Sequence, residues 1–147
     1  MSEENLKLIR ETYALFDGRE IDRAFRDYLH PEVEIRIPEG YPEGGQVFRG
    51  RDGVEGWLAM IDDVWSDWHY EDHRFIAAGE TVVAILRVVA EGTASGLRLD
   101  REVGHVWRIK DARATGVTVY LDVDEAFDAA GLPRSGTPGD RAPGEPR

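Results

Sequence analysis

The residue best suited to chemistry is His105, set in the run Val103-Gly104-His105-Val106-Trp107-Arg108-Ile109. Val103, His105, Trp107 and Ile109 alternate with Gly104, Val106 and Arg108, the period of a β-strand, so one imidazole stands amid an apolar face. An imidazole titrates near neutral pH and suits either proton transfer or the binding of a substrate oxygen. Arg87, Glu91 and Arg101 share its odd parity and could lie on the same face, where an Arg–Glu pair recognises an anionic or hydroxylated ligand. The alternative is an ion pair at a subunit interface. His69, Glu71 and His73 alternate on another strand, where positions two apart lie about 6.5–7 Å apart at Cα, barely within reach of one metal ion. Tyr70, Arg74 and Ile76 compete for that strand's inward face, so an exposed polar strand explains the set, and no metal is expected. Trp57, Trp65 and Trp107 would form an aromatic wall for a planar ligand, or ordinary core.

These residues must be positioned by a chain of 147 residues, the size of one domain with one core. Acidic residues number 29 against 18 Lys and Arg, a net charge of -11 that argues against nucleic acid and anionic membrane as partners. The absence of Cys excludes disulfides, thiolate metal sites and a Cys nucleophile. No apolar run reaches the roughly 18 residues of a membrane span. The N-terminus does not read as a signal peptide, so a cytoplasmic protein without a cofactor is expected.

Ser2 or Asn5 can cap a first helix that turns Leu6, Ile9, Tyr13 and Phe16 to one side, widened by Leu8 and Leu15. Gly18 should end it in the left-handed conformation. A second helix carries Ile21, Phe25 and Leu29 inward until His30-Pro31 stops it. Val33, Ile35 and Ile37 alternate as a first strand closed by Pro38, and residues 39–50 read as a long Gly-rich loop. That loop carries Tyr41 and could act as a lid over a ligand. A third helix is expected over about 51–65, burying Val54, Trp57, Leu58, Ile61 and Trp65. Strands follow over about 69–77 and 81–91, then the strand of His105, then Val117-Val119-Leu121. The strand over 81–91 is nearly continuous in Val, Ile, Leu and Ala, so both its faces should be buried. A short helix is expected over 124–132. The domain thus spans 1–132, and residues 133–147, rich in Pro and Gly, read as a disordered tail. Helices first and strands afterwards imply an α+β domain. Its form should be a cone-shaped roll: a curved, mostly antiparallel sheet packed on three N-terminal helices, with a pocket at the open end.

The chain resembles the SnoaL-like branch of the nuclear transport factor 2-like superfamily. The resemblance is carried by Tyr13-Ala14-Leu15-Phe16-Asp17-Gly18, Leu29-His30-Pro31-Glu32-Val33, Phe48-Arg49-Gly50, His105-Val106-Trp107-Arg108-Ile109 and Tyr120-Leu121-Asp122. It covers about residues 3–132 and implies a conical sheet, a deep pocket and a homodimer through the outer sheet face. It does not imply one reaction. By similarity to ketosteroid isomerases, their oxyanion-binding Tyr falls on Tyr13 and their acidic oxyanion donor on His105, but their catalytic Asp falls on Ile37. By similarity to limonene-type epoxide hydrolases, the two catalytic carboxylates fall on Val88 or Val89 and on Val119, and an Arg falls on Arg87. Cyclases of the SnoaL type use a pocket Asp, and no Asp here lies unambiguously inward.

Tyr13 and His105 are therefore the candidate catalytic pair, binding a carbonyl or enolate oxygen with His105 carrying the proton. Their alternative is a satisfied hydrogen bond in the core. Trp57, which falls where the isomerases place a pocket Phe, joins Trp107, Arg87 and Tyr41 as candidate ligand contacts. The expected function is a pocket for a small apolar or aromatic, carbonyl-containing ligand, with isomerase, cyclase or lyase chemistry. The alternative is a non-catalytic binding or dimeric interaction module, which the missing carboxylates favour.

Overall fold

In the computed structural model, residues 2–38 and 45–133 are described. Helix α1 (Ser2–Asp17) buries Leu8, Ile9, Tyr13, Leu15 and Phe16, the stripe its three- and four-residue spacings require. Thr12 is also fully buried, and its hydroxyl donates to the Leu8 carbonyl at 2.8 Å, which satisfies it inside the helix. The helix closes in a double-bonded turn, Glu20 N–H to Leu15 O and Arg19 N–H to Phe16 O. The left-handed residue is Arg19 (φ 57), not the expected Gly18. Its guanidinium donates to the Phe16 carbonyl and to Asp62, contacts that hold an otherwise disfavoured conformation.

Helix α2 (Ile21–Asp27) is shorter than expected, because Leu29 already opens strand β1 (Leu29–Arg36). Arg113 explains the early stop. Its guanidinium donates to the carbonyls of Phe25, Arg26 and Leu29, taking up acceptors at the helix end. The expected long loop over 39–50 is also partly strand. Val47–Arg49 forms β2 beside β1, and the Ile37 and Gly45–Gln46 backbones bond across its base. Residues 39–44, including Tyr41 and the tip of the expected lid, lie outside the described residues.

Helix α3 (Gly50–Val64) is followed by β3 (Trp65–Ala78), β4 (Thr81–Gly92), β5 (Arg98–Lys110), β6 (Arg113–Tyr120) and α4 (Val123–Ala130). The sheet order is β2-β1-β6-β5-β4-β3, with only β1 and β6 parallel. This is the expected α+β cone, an open curved sheet with α1 and α3 against its inner face. β4 is buried on both faces as expected, because α4 lies on the outside, packing Ala126 and Phe127 on Val83, Ile85 and Val106. Asp122 caps α4 by accepting from the Asp124 N–H, and Gly131 (φ 72) ends it. The expected tail lies, from residue 134 on, outside the described residues.

Gly104 is what lets α4 sit down on β5. A Cβ built there would stand 2.5 Å from the Ala126 Cβ, with Val123 and Ile85 close by. Gly104→Val should therefore lift α4 and destabilise the domain by about 1–3 kcal/mol. Urea denaturation followed by tryptophan fluorescence measures it, and an unchanged midpoint would show that α4 is not seated by this contact.

Candidate functional site

Three surfaces meet around a cavity of about 400 Å³ inside the cone. Helix α3 turns Trp57, Met60, Ile61 and Val64 into it, the i, i+3, i+4, i+7 stripe of an amphipathic helix. Strand β5 presents Leu99, Arg101, Val103 and His105 at the strand period of two. Strand β3 supplies Trp65, Trp68 and Tyr70, whose numbering changes parity. The change comes from a bulge between Ser66 and His69, where Asp67 takes a left-handed conformation (φ 54) and returns the next even residues to the inner face. Ile37, Val88, Val119 and Leu121 complete the wall. The resemblance places the enzymes' carboxylates at Ile37, at Val88 or Val89, and at Val119, and of the β4 pair Val88 is the inward residue. Among the described residues no Asp or Glu lines the cavity.

The polar focus lies at the back of this wall. His105, Tyr13 and Trp107 are 3%, 2% and 2% exposed and come from α1 and β5, brought together across the core. The Trp107 Nε1–H donates to the Tyr13 oxygen at 2.8 Å, and the Tyr13 oxygen lies 2.5 Å from His105 Nδ1. Indole is a donor only, so the Tyr13 oxygen accepts from it and keeps its own proton available for Nδ1. With the hydroxyl donating to Nδ1, the imidazole carries its proton on Nε2. No described residue bonds Nε2, yet no described buried side-chain nitrogen or oxygen is left unpartnered. Nε2 must therefore open onto the cavity that His105 lines. Burial pushes the His105 pKa from 6.5 down to about 3, so the ring is neutral at pH 7. Burial likewise raises the Tyr13 phenol well above 10.0.

Tyr13 and His105 are thus neighbours as expected, but their roles divide. His105 faces the cavity with a ring that burial keeps neutral at pH 7. Tyr13 stands behind it and orients it. Trp107 also stands outside the wall and supports Tyr13, whereas Trp57 and Trp65 do line the cavity.

Arg87 and Glu91 do not share the face of His105. The β4–β5 register pairs Ala84 with His105 and Val88 with Arg101, so even residues of β4 lie beside odd residues of β5. Arg87 is therefore on the outer face. Its guanidinium forks onto Asp100 with two bonds of 2.8 Å and reaches Glu71 at 3.5 Å. Arg101 alone of that trio faces the cavity.

The His69, Glu71 and His73 set is divided by a second bulge, between Glu71 and Arg74. His69 and Glu71 pair with each other at 2.8 Å on the exposed side, while the His73 ring turns to Tyr13, Tyr70 and Phe75. Asp17, at the end of α1, feels the charges of His73, Arg19 and His69. Its carboxyl is raised above 3.8, first by burial, and it is not part of the cavity wall. Sequence spacing missed Trp68, Met60, Leu99 and Leu121 as wall residues and gave Tyr70 only as one competitor for the inward face of its strand. Leu99 was accessible by extending the strand of His105 backwards at its own period.

A depressed histidine pKa makes stability depend on pH. Below 6.5 the unfolded chain binds a proton at this residue, while the folded chain does so only near 3. Its contribution is complete above 6.5 and is lost as pH falls towards 3, with a slope of up to about 1.4 kcal/mol per pH unit. Urea denaturation from pH 7 to pH 4 should show a shallower decline in His105→Gln than in the parent, and equal slopes would mean that the ring is not sealed from protonation.

Comparison with solved structures gives the same fold. A nuclear transport factor 2-like protein of unknown function from Burkholderia pseudomallei superposes with a TM-score of 0.70 at 25% identity, over 87% of this chain and 97% of that one. TerC, co-crystallised with polyporic acid, gives 0.69 at 26% identity, over 87% and 98%. A hypothetical protein of ketosteroid isomerase-like fold from Catenulispora acidiphila, in complex with trimethylamine, gives 0.65 over 86% and 93%, and its 15% identity speaks for the fold alone. No curated protein matches the sequence. The family model for the SnoaL-like domain matches residues 9–117, most of the chain, so the protein belongs to the SnoaL-like domain family.

Proposed function

We propose that the protein binds a small, flat, apolar molecule in the cone and that the His105 Nε2–H holds and polarises a carbonyl oxygen of that molecule. The observation that carries the reading is the neutral imidazole, its Nδ1 occupied by the Tyr13 hydroxyl, at the wall of an otherwise mainly apolar cavity. A pre-oriented donor in a low-dielectric site stabilises charge developing on an oxygen, which is the electrostatic half of isomerase and cyclase chemistry. Trp57, Trp65 and Trp68 supply faces for a planar ring system. TerC, a structural relative, was crystallised with a small organic ligand, polyporic acid, which supports this size class.

A second reading, binding without turnover, is favoured by Ile37, Val88 and Val119. Proton abstraction needs a base within reach, and none of these can act as one. A second copy of the chain on the outer sheet face belongs to either reading. It would use the side bearing Arg87, Asp100 and Glu71, because α4 covers Val83, Ile85 and Val106.

The test uses 9-fluorenone and fluorene, which differ by the carbonyl oxygen. The ketone should bind about tenfold tighter, the worth of one well-formed hydrogen bond, and its C=O stretch should move to lower frequency on binding. His105→Phe, checked for folding by circular dichroism, should remove both differences. Equal affinities and an unshifted carbonyl band in the parent protein would overturn the proposal without recourse to the variant.

A further inference from the structure

We infer that Arg101 determines the specificity of the cavity, selecting ligands that carry an oxyanion (a carboxylate, or an ionised phenol or enol) at the end away from the His105-bound oxygen. This rests on reading the cavity as a small-molecule site.

Among the described residues Arg101 is the one Lys or Arg in the cavity wall. It is itself exposed, at the rim of that wall, and its partners differ from those of the other surface arginines. Arg87 is forked onto Asp100, Arg49 and Arg36 share Glu34, Arg51 bridges Asp22 and Glu55, and Arg19 meets Asp62. The chain carries 29 acidic residues, yet no described carboxylate pairs with Arg101. Its β4 neighbour across the inner face is Val88, and its hydrogen-bond partner is the main-chain carbonyl of Leu121, itself a wall residue. That carbonyl engages one of five N–H groups and leaves most of the donor fork for an incoming ligand. It also holds the side chain against the wall before a ligand arrives, which lowers the ordering cost of binding. An anion placed there meets a forked cation that no described carboxylate neutralises, at the exposed rim of an apolar wall, where a bidentate fork supplies the geometry of carboxylate recognition.

The strand sets the spacing of the two anchor positions. Arg101 and His105 lie four residues apart on one face of β5, about 13 Å at Cα. Two linked or fused rings with an oxygen at each end suit that spacing. The cavity, at about 400 Å³, is of the size that takes such a molecule. The apolar rings would lie between, against Val103 and the tryptophans of α3 and β3.

Isothermal titration of the full chain with biphenyl-4-carboxylate and with biphenyl-4-carboxamide tests this, since the two share shape and differ in charge at neutral pH. The carboxylate should bind about tenfold tighter than the amide, as expected for a charge-assisted fork, and added salt should narrow the gap. In Arg101→Gln the ratio of the two affinities should fall to near one. A ratio that is the same in both proteins, or near one in the parent, overturns the role of Arg101 and leaves the cavity reading standing. If neither compound binds the parent protein, the cavity reading fails and this inference fails with it.

Discussion

The chain of hydrogen bonds from Trp107 through Tyr13 to His105 is the interaction on which the interior depends. Three polar side chains enter an apolar core, and each is tolerable only because the others satisfy it. Its first bond has a direction set by chemistry, since indole can only donate, and the phenol keeps one proton to pass to the imidazole. The chain joins residues more than ninety positions apart, fastening α1 to β5 by a directional contact in addition to packing. It also engages Nδ1 of His105 and leaves Nε2 as the ring nitrogen without a described partner. A change at Tyr13 would thus act on the cavity through the tautomer and ring position of His105, without Tyr13 touching the contents.

The remaining charges are distributed so that this interior stays apolar. Among the described residues most arginines are exposed and already paired with carboxylates on helix surfaces or on the outer sheet face, where single pairs contribute little stability. The strand faces that look into the cone carry valine, leucine and tryptophan instead. Burial then does to His105 what a neighbouring carboxylate would have opposed, holding it neutral at physiological pH.

Period counting within an element was enough to find α1, α3, α4, the doubly buried β4 and the inward face of His105, because those features follow from local spacing. It failed where parity was carried across a discontinuity. Two bulges in β3 change which residues face inward, so Trp65, Trp68, Tyr70 and then His73 share one side despite their numbering. The Arg87 error has the same origin, since the turn over 92–97 sets an odd register between β4 and β5 that alternation within either strand cannot reveal. The end of α2 was hidden differently. Arg113, far along the chain, takes the carbonyls that a helix continuing to Leu29 would have used itself. Tyr13 was legible as a partner of His105 through family resemblance, but its place behind the imidazole depends on the depth at which α1 packs.

The apolar residues at 37, 88 and 119 and the cation at 101 are two consequences of one electrostatic choice. An ionised carboxylate in a small, poorly hydrated cavity repels a second anion strongly and would itself be neutralised by Arg101 if it came within reach. A cavity that keeps an acidic base is therefore poorly suited to an anionic ligand, and one that presents an unneutralised guanidinium is poorly suited to a base of ordinary pKa. With Ile37, Val88 and Val119 in the wall, no carboxylate among the described lining residues competes with His105 and Arg101. On the proposed reading such a cavity would hold an oxygen-bearing aromatic molecule by its two ends and leave proton abstraction to groups that its described wall does not provide.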